Sequence, residues 1–146
     1  MSTTTTTARP AVRIPALNRP VALFGAIAAA LLANIVVWLI GAAAGGTFET
    51  TNAGQVQSVA PGGIIMMTVV PMLIGLGAAV LLSYKWIGVL RLAAAIGSVI
   101  AVATIAMTVS ADFDTASTVA LSVTHLTLVP ALVIAAEGLR RKLLEA

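Results

Sequence analysis

The stretch Thr115–Ala136, TASTVALSVTHLTLVPALVIAA, decides how the rest of the chain is read. It holds no Asp, Glu, Lys or Arg, and at about 1.5 Å of rise per residue it is long enough to cross a hydrocarbon core of roughly 30 Å. His125, the only histidine in the chain, lies near its middle. Pro130 and a row of hydroxyls share the stretch, at depths where lipid offers no hydrogen-bonding partner. The expectation is a transmembrane helix whose polar atoms are met by neighbouring helices.

Three more stretches have the same character, and the composition agrees with them. The 146 residues are 60% hydrophobic and 9% charged, with a mean hydropathy of +1.08, whereas soluble domains are about half apolar and a quarter charged. The predicted fold class is all-α. It is a four-helix transmembrane bundle occupying 21–138 as one domain, with spans at about 21–45, 62–83, 92–111 and 115–136. Residues 1–20, MSTTTTTARPAVRIPALNRP, offer no apolar period and predict a flexible cytoplasmic tail. Residues 139–146 predict a short basic cytoplasmic end. A signal peptide is the rival reading of the start, but the apolar part from Val21 to about Gly45 exceeds an h-region of ~7 to 15 residues. It is therefore taken as an uncleaved first span. With no cysteine in the chain, disulfides, thiolate metal sites and thiol redox chemistry are excluded.

Charge predicts orientation. The gaps after spans one and three carry Glu49, Asp112 and Asp114 and no basic residue. Arg9, Arg13, Arg19, Lys85, Arg91, Arg140, Arg141 and Lys142 all fall on the other side. The positive-inside rule then puts both termini in the cytoplasm, and the expected location is the plasma membrane. The net charge of +3 is read as a membrane signal, with no nucleic-acid partner expected. Arg140, Arg141 and Lys142 are expected to anchor the last span against anionic headgroups, and Glu137 to pair locally with Arg140 and Arg141.

Small and polar residues form stripes at helical spacing. They are Ala30, Asn34, Gly41 and Gly45 in span one; Thr68, Met72, Gly75, Ala79 and Ser83 in span two; and Gly97, Ala101, Thr104 and Thr108 in span three. Span four has two such faces, one holding Thr118, Ser122 and His125, the other Ser117, Ala120, Thr124, Thr127 and Ala131. Such faces let helices approach closely in lipid, and Gly41 and Gly45 could also mediate self-association. Thr68-Val-Val-Pro71 echoes Thr127-Leu-Val-Pro130, as two duplicated helical hairpins would. Both prolines remove a helical N–H and free the carbonyl of Met67 or Leu126. Counted from the cytoplasmic boundary, Asn34, Pro71, Thr104 and His125 share one depth, and together with Pro130 they predict a small intramembrane polar layer.

His125 is read first as structural, bonded to Asn34, Thr104 or a freed carbonyl. Proton or ligand handling is the alternative, weakened because no carboxylate lies within the spans. Met66, Met67, Met72 and Met107 are read as packing residues and not as a soft metal site. Asp112 and Asp114 form an outer acidic turn that caps span four. No catalytic motif, metal set or cofactor signature is found.

The four-span plan, the Pro61-Gly62-Gly63 opening of span two, the Asp112–Thr115 turn and the histidine of span four resemble a family of small actinobacterial integral membrane proteins of unknown function, over roughly Arg19 to Arg141. The resemblance implies a four-helix membrane bundle and supplies no activity. The function expected is that of a non-enzymatic packing or interaction protein, its partners being lipid, a second copy or another membrane protein. The alternative is a small-solute or proton-coupled transporter built on His125 and Asn34.

Overall fold

A computed structural model describes residues 14–59 and 61–146. Four helices dominate it, and each is long and apolar enough to cross a membrane. Helix α1 opens with a wide π-type turn at Val21–Gly25 and continues as Ala26–Ala43; α2 is Pro61–Leu82, α3 Val89–Ser110 and α4 Thr115–Leu144. The all-α bundle is thus the fold of the chain, and the protein is a multi-pass membrane protein.

Around the bundle, α1 packs closely on α4, α4 on α3, and α2 mainly on α1. Helices α2 and α3 touch only loosely. The core has two parts. At the basic end, Ala22, Ala30, Leu76, Leu90, Ala136 and Leu139 are buried together; at the opposite end Phe48, Ile64, Ala120 and Leu121 form a smaller cluster. The remaining large apolar side chains, such as Leu32, Ile74, Val99 and Val119, point outward, as helices surrounded by lipid require.

Two departures from expectation concern the basic end. The flexible tail predicted to residue 20 is docked in its described part: Leu17 N–H donates to Gly138 O at 2.9 Å, and Arg141 donates to Ile14 O. Residues 1–13 of that tail, with Arg9 and Arg13, lie outside the described residues. The separate end predicted at 139–146 is instead the last turns of α4, which runs to Leu144. Gly138 explains both. A Cβ there would lie 2.7 Å from the Leu17 side chain and 2.9 Å from Pro15 O, so the missing side chain is what lets the incoming segment lie against the helix. Leu139 is 1% exposed, which keeps the helix seated past the expected boundary.

The third departure is a β-hairpin between α1 and α2. Strands β1 (Glu49–Asn52) and β2 (Gln55–Ser58) pair antiparallel, with Asn52 opposite Gln55 across a two-residue turn. Ala53 and Gly54 both have positive φ, 49° and 77°, as a type I′ turn needs. The strands are almost wholly exposed, and a lone hairpin is marginal in water. Its base is what holds it. Val59 N–H donates to Phe48 O at 2.8 Å, Trp38 Nε1–H donates to Val59 O at 3.2 Å, and the Trp38 and Phe48 rings lie 5.5 Å apart.

Candidate functional site

The loose α2–α3 contact leaves a cleft of about 630 Å³, walled by α2 and α3 and backed by α4. Its wall is mostly apolar, with Met67, Met72, Ile100 and Leu128 among the lining side chains. Small residues make the room, since Gly75, Ala93 and Gly97 all border it. No Asp, Glu, Lys or Arg lines it among the described residues.

Four of the five residues expected to form a polar layer, Asn34, Pro71, Thr104 and His125, border this one cleft. They do not bond to one another, because a threonine or histidine on a helix can reach a carbonyl one turn back. Thr104 Oγ1 donates to Ala101 O at 2.7 Å, and His125 Nδ1 lies 2.8 Å from Leu121 O. A carbonyl only accepts, so Nδ1 carries the proton, and in that tautomer of the uncharged imidazole Nε2 is the acceptor. Among the described residues His125 makes no other side-chain hydrogen bond. Neither freed carbonyl, of Met67 or Leu126, receives it. Pro130 is exposed on α4 and takes no part in the cleft.

Asn34 is the residue that does join helices. It is 2% exposed, its Nδ2 donates to Thr68 Oγ1 at 2.9 Å, and its Oδ1 accepts from Thr127 Oγ1. The two threonines of the echoed Thr-x-x-Pro segments therefore meet on opposite sides of one amide, tying α1 to both α2 and α4. The sequence signal for this pairing is the echo itself, in the threonine three residues before each proline.

The acidic turn has a different use at each aspartate. Asp114 is the N-cap of α4: Ser117 N–H donates to Oδ1 at 2.9 Å, and Oδ2 accepts from Ser117 Oγ, Thr47 N–H and Thr47 Oγ1. Ser117 Oγ in turn accepts from Phe48 N–H at 2.8 Å. These bonds, from the Ser117 hydroxyl first and then from the backbone N–H groups, hold the carboxyl far below its ordinary 3.8. Asp112 is exposed and makes no hydrogen bond of this kind among the described residues. At the basic end Glu137 pairs with Arg140 at 3.3 Å as expected, and also with Arg91 of α3 at 2.5 Å; Arg141 pairs with Glu145 at 3.7 Å instead.

Gly41 and Gly45 do not form an outward face for self-association. A Cβ at Gly41 would lie 2.6 Å from Ala120 Cβ and 2.8 Å from Phe48 Cζ, so this glycine is spent on the α1–α4 approach inside the chain. Gly45 has φ 91° and turns the chain out of α1.

Among curated proteins and solved structures, nothing matches this chain. A family model does, over residues 13–142, which takes in the first three helices, α4 up to Lys142 and the cleft. The chain belongs to that family, described as a family of unknown function (DUF6069).

Proposed function

We propose that this protein is a non-enzymatic binding protein of the plasma membrane that holds an apolar small molecule in the α2–α3–α4 cleft. The observation that carries the reading is the unclosed α2–α3 seam. Its volume of about 630 Å³ falls within the ~300–1,000 Å³ range of ligand sites, and a mostly apolar wall with a few polar groups is what such sites have. Transport along the bundle axis is less well supported, because a solute would have to part Asn34 from both Thr68 and Thr127. In this reading both termini are cytoplasmic. Lys85, Arg91, Arg140, Arg141 and Lys142 then meet anionic headgroups, and Glu49, Asp112 and Asp114 face outside.

Two glycines of α2 give the test. A Cβ at Gly75 or Gly77 meets nothing within 4 Å, but only Gly75 borders the cleft. Native mass spectrometry from mild detergent should show a bound small molecule on the wild-type protein and on Gly77→Phe, and none on Gly75→Phe. A ligand-free wild type, or equal occupancy of the two variants, would remove the proposal.

A further inference from the structure

The hydrogen-bond directions around the cleft say what kind of molecule it takes. Thr104 Oγ1 donates to Ala101 O at 2.7 Å, Thr108 Oγ1 to Thr104 O at 3.3 Å, and Thr124 Oγ1 to Leu121 O at 2.7 Å. Each hydroxyl proton is turned back on its own helix, so what these side chains show the cleft is oxygen lone pairs. His125 repeats the pattern, its Nδ1 proton directed to Leu121 O and its Nε2 left with a lone pair. The donors that remain, one N–H of Asn34 and the hydroxyl of Thr68, belong to side chains each only 2% exposed. Thr104 and His125 are half-buried and are the polar groups within reach.

An apolar wall whose accessible polar atoms all accept leaves a ligand's own acceptor unpaired and a ligand's donor satisfied. Burying a polar group without a partner is costly, so this difference selects among otherwise similar molecules. Resting on the reading of the cleft as a ligand site, we infer that its occupant is an apolar, chain-like or ring-like lipid alcohol whose hydroxyl donates to His125 Nε2, with Thr104 Oγ1 as the neighbouring acceptor. Ketones, esters and ethers of the same apolar body are discriminated against. His125 is then neither a proton carrier nor a packing residue but the group that reads the ligand's polar end.

The test is a competition between a C20 isoprenoid alcohol and its methyl ether. Both are supplied at equal mole fraction in nanodiscs holding the full chain, and their adducts are counted by native mass spectrometry. The pair differs in the donor and hardly in apolar area, so one retained hydrogen bond should favour the alcohol about tenfold. In His125→Phe, which keeps a ring of similar size, the ratio should fall to about one. Gly75→Phe should lose both adducts, and it serves as the second variant if His125→Phe does not fold. Equal adducts on the wild type, lost together in Gly75→Phe, would overturn the alcohol inference and leave the ligand site standing. A preference that survives His125→Phe would overturn the role of the histidine. The absence of either adduct on the wild type would overturn both the inference and the reading beneath it.

Discussion

The seam between α1 and α4 and the seam between α2 and α3 are made from similar residues and end up opposite. Read as two hairpins, α1–α2 and α3–α4, the chain would make these seams equivalents, and each offers small residues to its partner. In the first, Gly41 lies so close to Ala120 that no Cβ fits, and three side-chain links cross nearby: Thr127 to Asn34, Asp114 to Thr47, and Ser117 to Phe48. In the second, no hydrogen bond crosses between α2 and α3 among the described residues, and the α3 threonines along it, Thr104 and Thr108, bond their own backbone. Gly97, which looks like a contact for α2, is pressed on Leu132 of α4 instead. Small residues permit close approach in lipid; crossing polar bonds decide which approach is made.

The sharpest way to break the closed seam is Gly41→Leu. Even a bare Cβ would sit 2.6 Å from Ala120 Cβ, and the rest of the side chain has nowhere to go without displacing Phe48 and the hairpin base. The expected loss is roughly 3 kcal/mol, at the upper end for an overpacked core, seen as a lowered unfolding midpoint in bicelles. An unchanged midpoint would mean that α1 and α4 are not held this closely.

Asn34→Leu probes the link and not the approach. It fills a similar volume but strips Thr68 and Thr127 of their shared partner, and hydrogen bonds within membranes contribute about 0.6 kcal/mol each, up to ~1.7. A loss of about 1–2 kcal/mol is expected for the pair. Thr104→Val on the open seam removes only a bond to its own helix, so it should leave the unfolding midpoint within error of the wild type. A loss at Thr104 equal to that at Asn34 would erase the distinction between the seams.

Asp114 adds a pH dependence to the closed seam alone. Its folded pKa is depressed below the ordinary 3.8, so its stabilisation is complete above that value and is lost only as pH falls beneath it. Protection of the Thr47, Phe48 and Ser117 amides, taken relative to their intrinsic exchange rates, should be high at neutral pH and fall only in strong acid, well below the ordinary carboxylate range. Asp114→Asn should keep the N-cap, since asparagine caps well, but its amide offers one acceptor where two carboxylate oxygens served. Thr47 should then exchange fast at neutral pH, with no acid step remaining. If Asn holds Thr47 as firmly as Asp, the carboxylate is not the latch.

How much of this was legible follows from which forces act locally. Four apolar stretches of spanning length name the helices whatever their neighbours, and Asp114 followed three residues later by Ser117 is a local cap. The hairpin was hidden because ETTN and QVQS show no apolar alternation and the turn carries Ala53 where Asn or Gly would announce a type I′ pair. The depth count puts Asn34, Pro71, Thr104 and His125 at one level, and all four border the cleft. It could not find the partners. Whether Thr104 reaches across to Asn34 or back to Ala101 depends on helix rotation and on which seam closes, and no one-helix pattern encodes either.

The gentlest intervention tests the open seam directly. Gly75 borders the cleft with nothing within 4 Å of an added Cβ, so Gly75→Leu starts its side chain in open space and removes a residue that costs a helix about 1 kcal/mol relative to a good helix former. The side chain would also fill space that now lacks protein contacts. The expected change is a gain of less than about 1 kcal/mol in stability, opposite in sign to that at Gly41 although the substitution is the same. A protein stabilised by closing its cleft while losing its small-molecule adduct would show that the gap is kept at a cost to the fold, which is the pattern of a binding site. If Gly75→Leu instead destabilised the bundle as Gly41→Leu should, α2 and α3 would be packed against each other in the membrane, and the two seams would be equivalent after all.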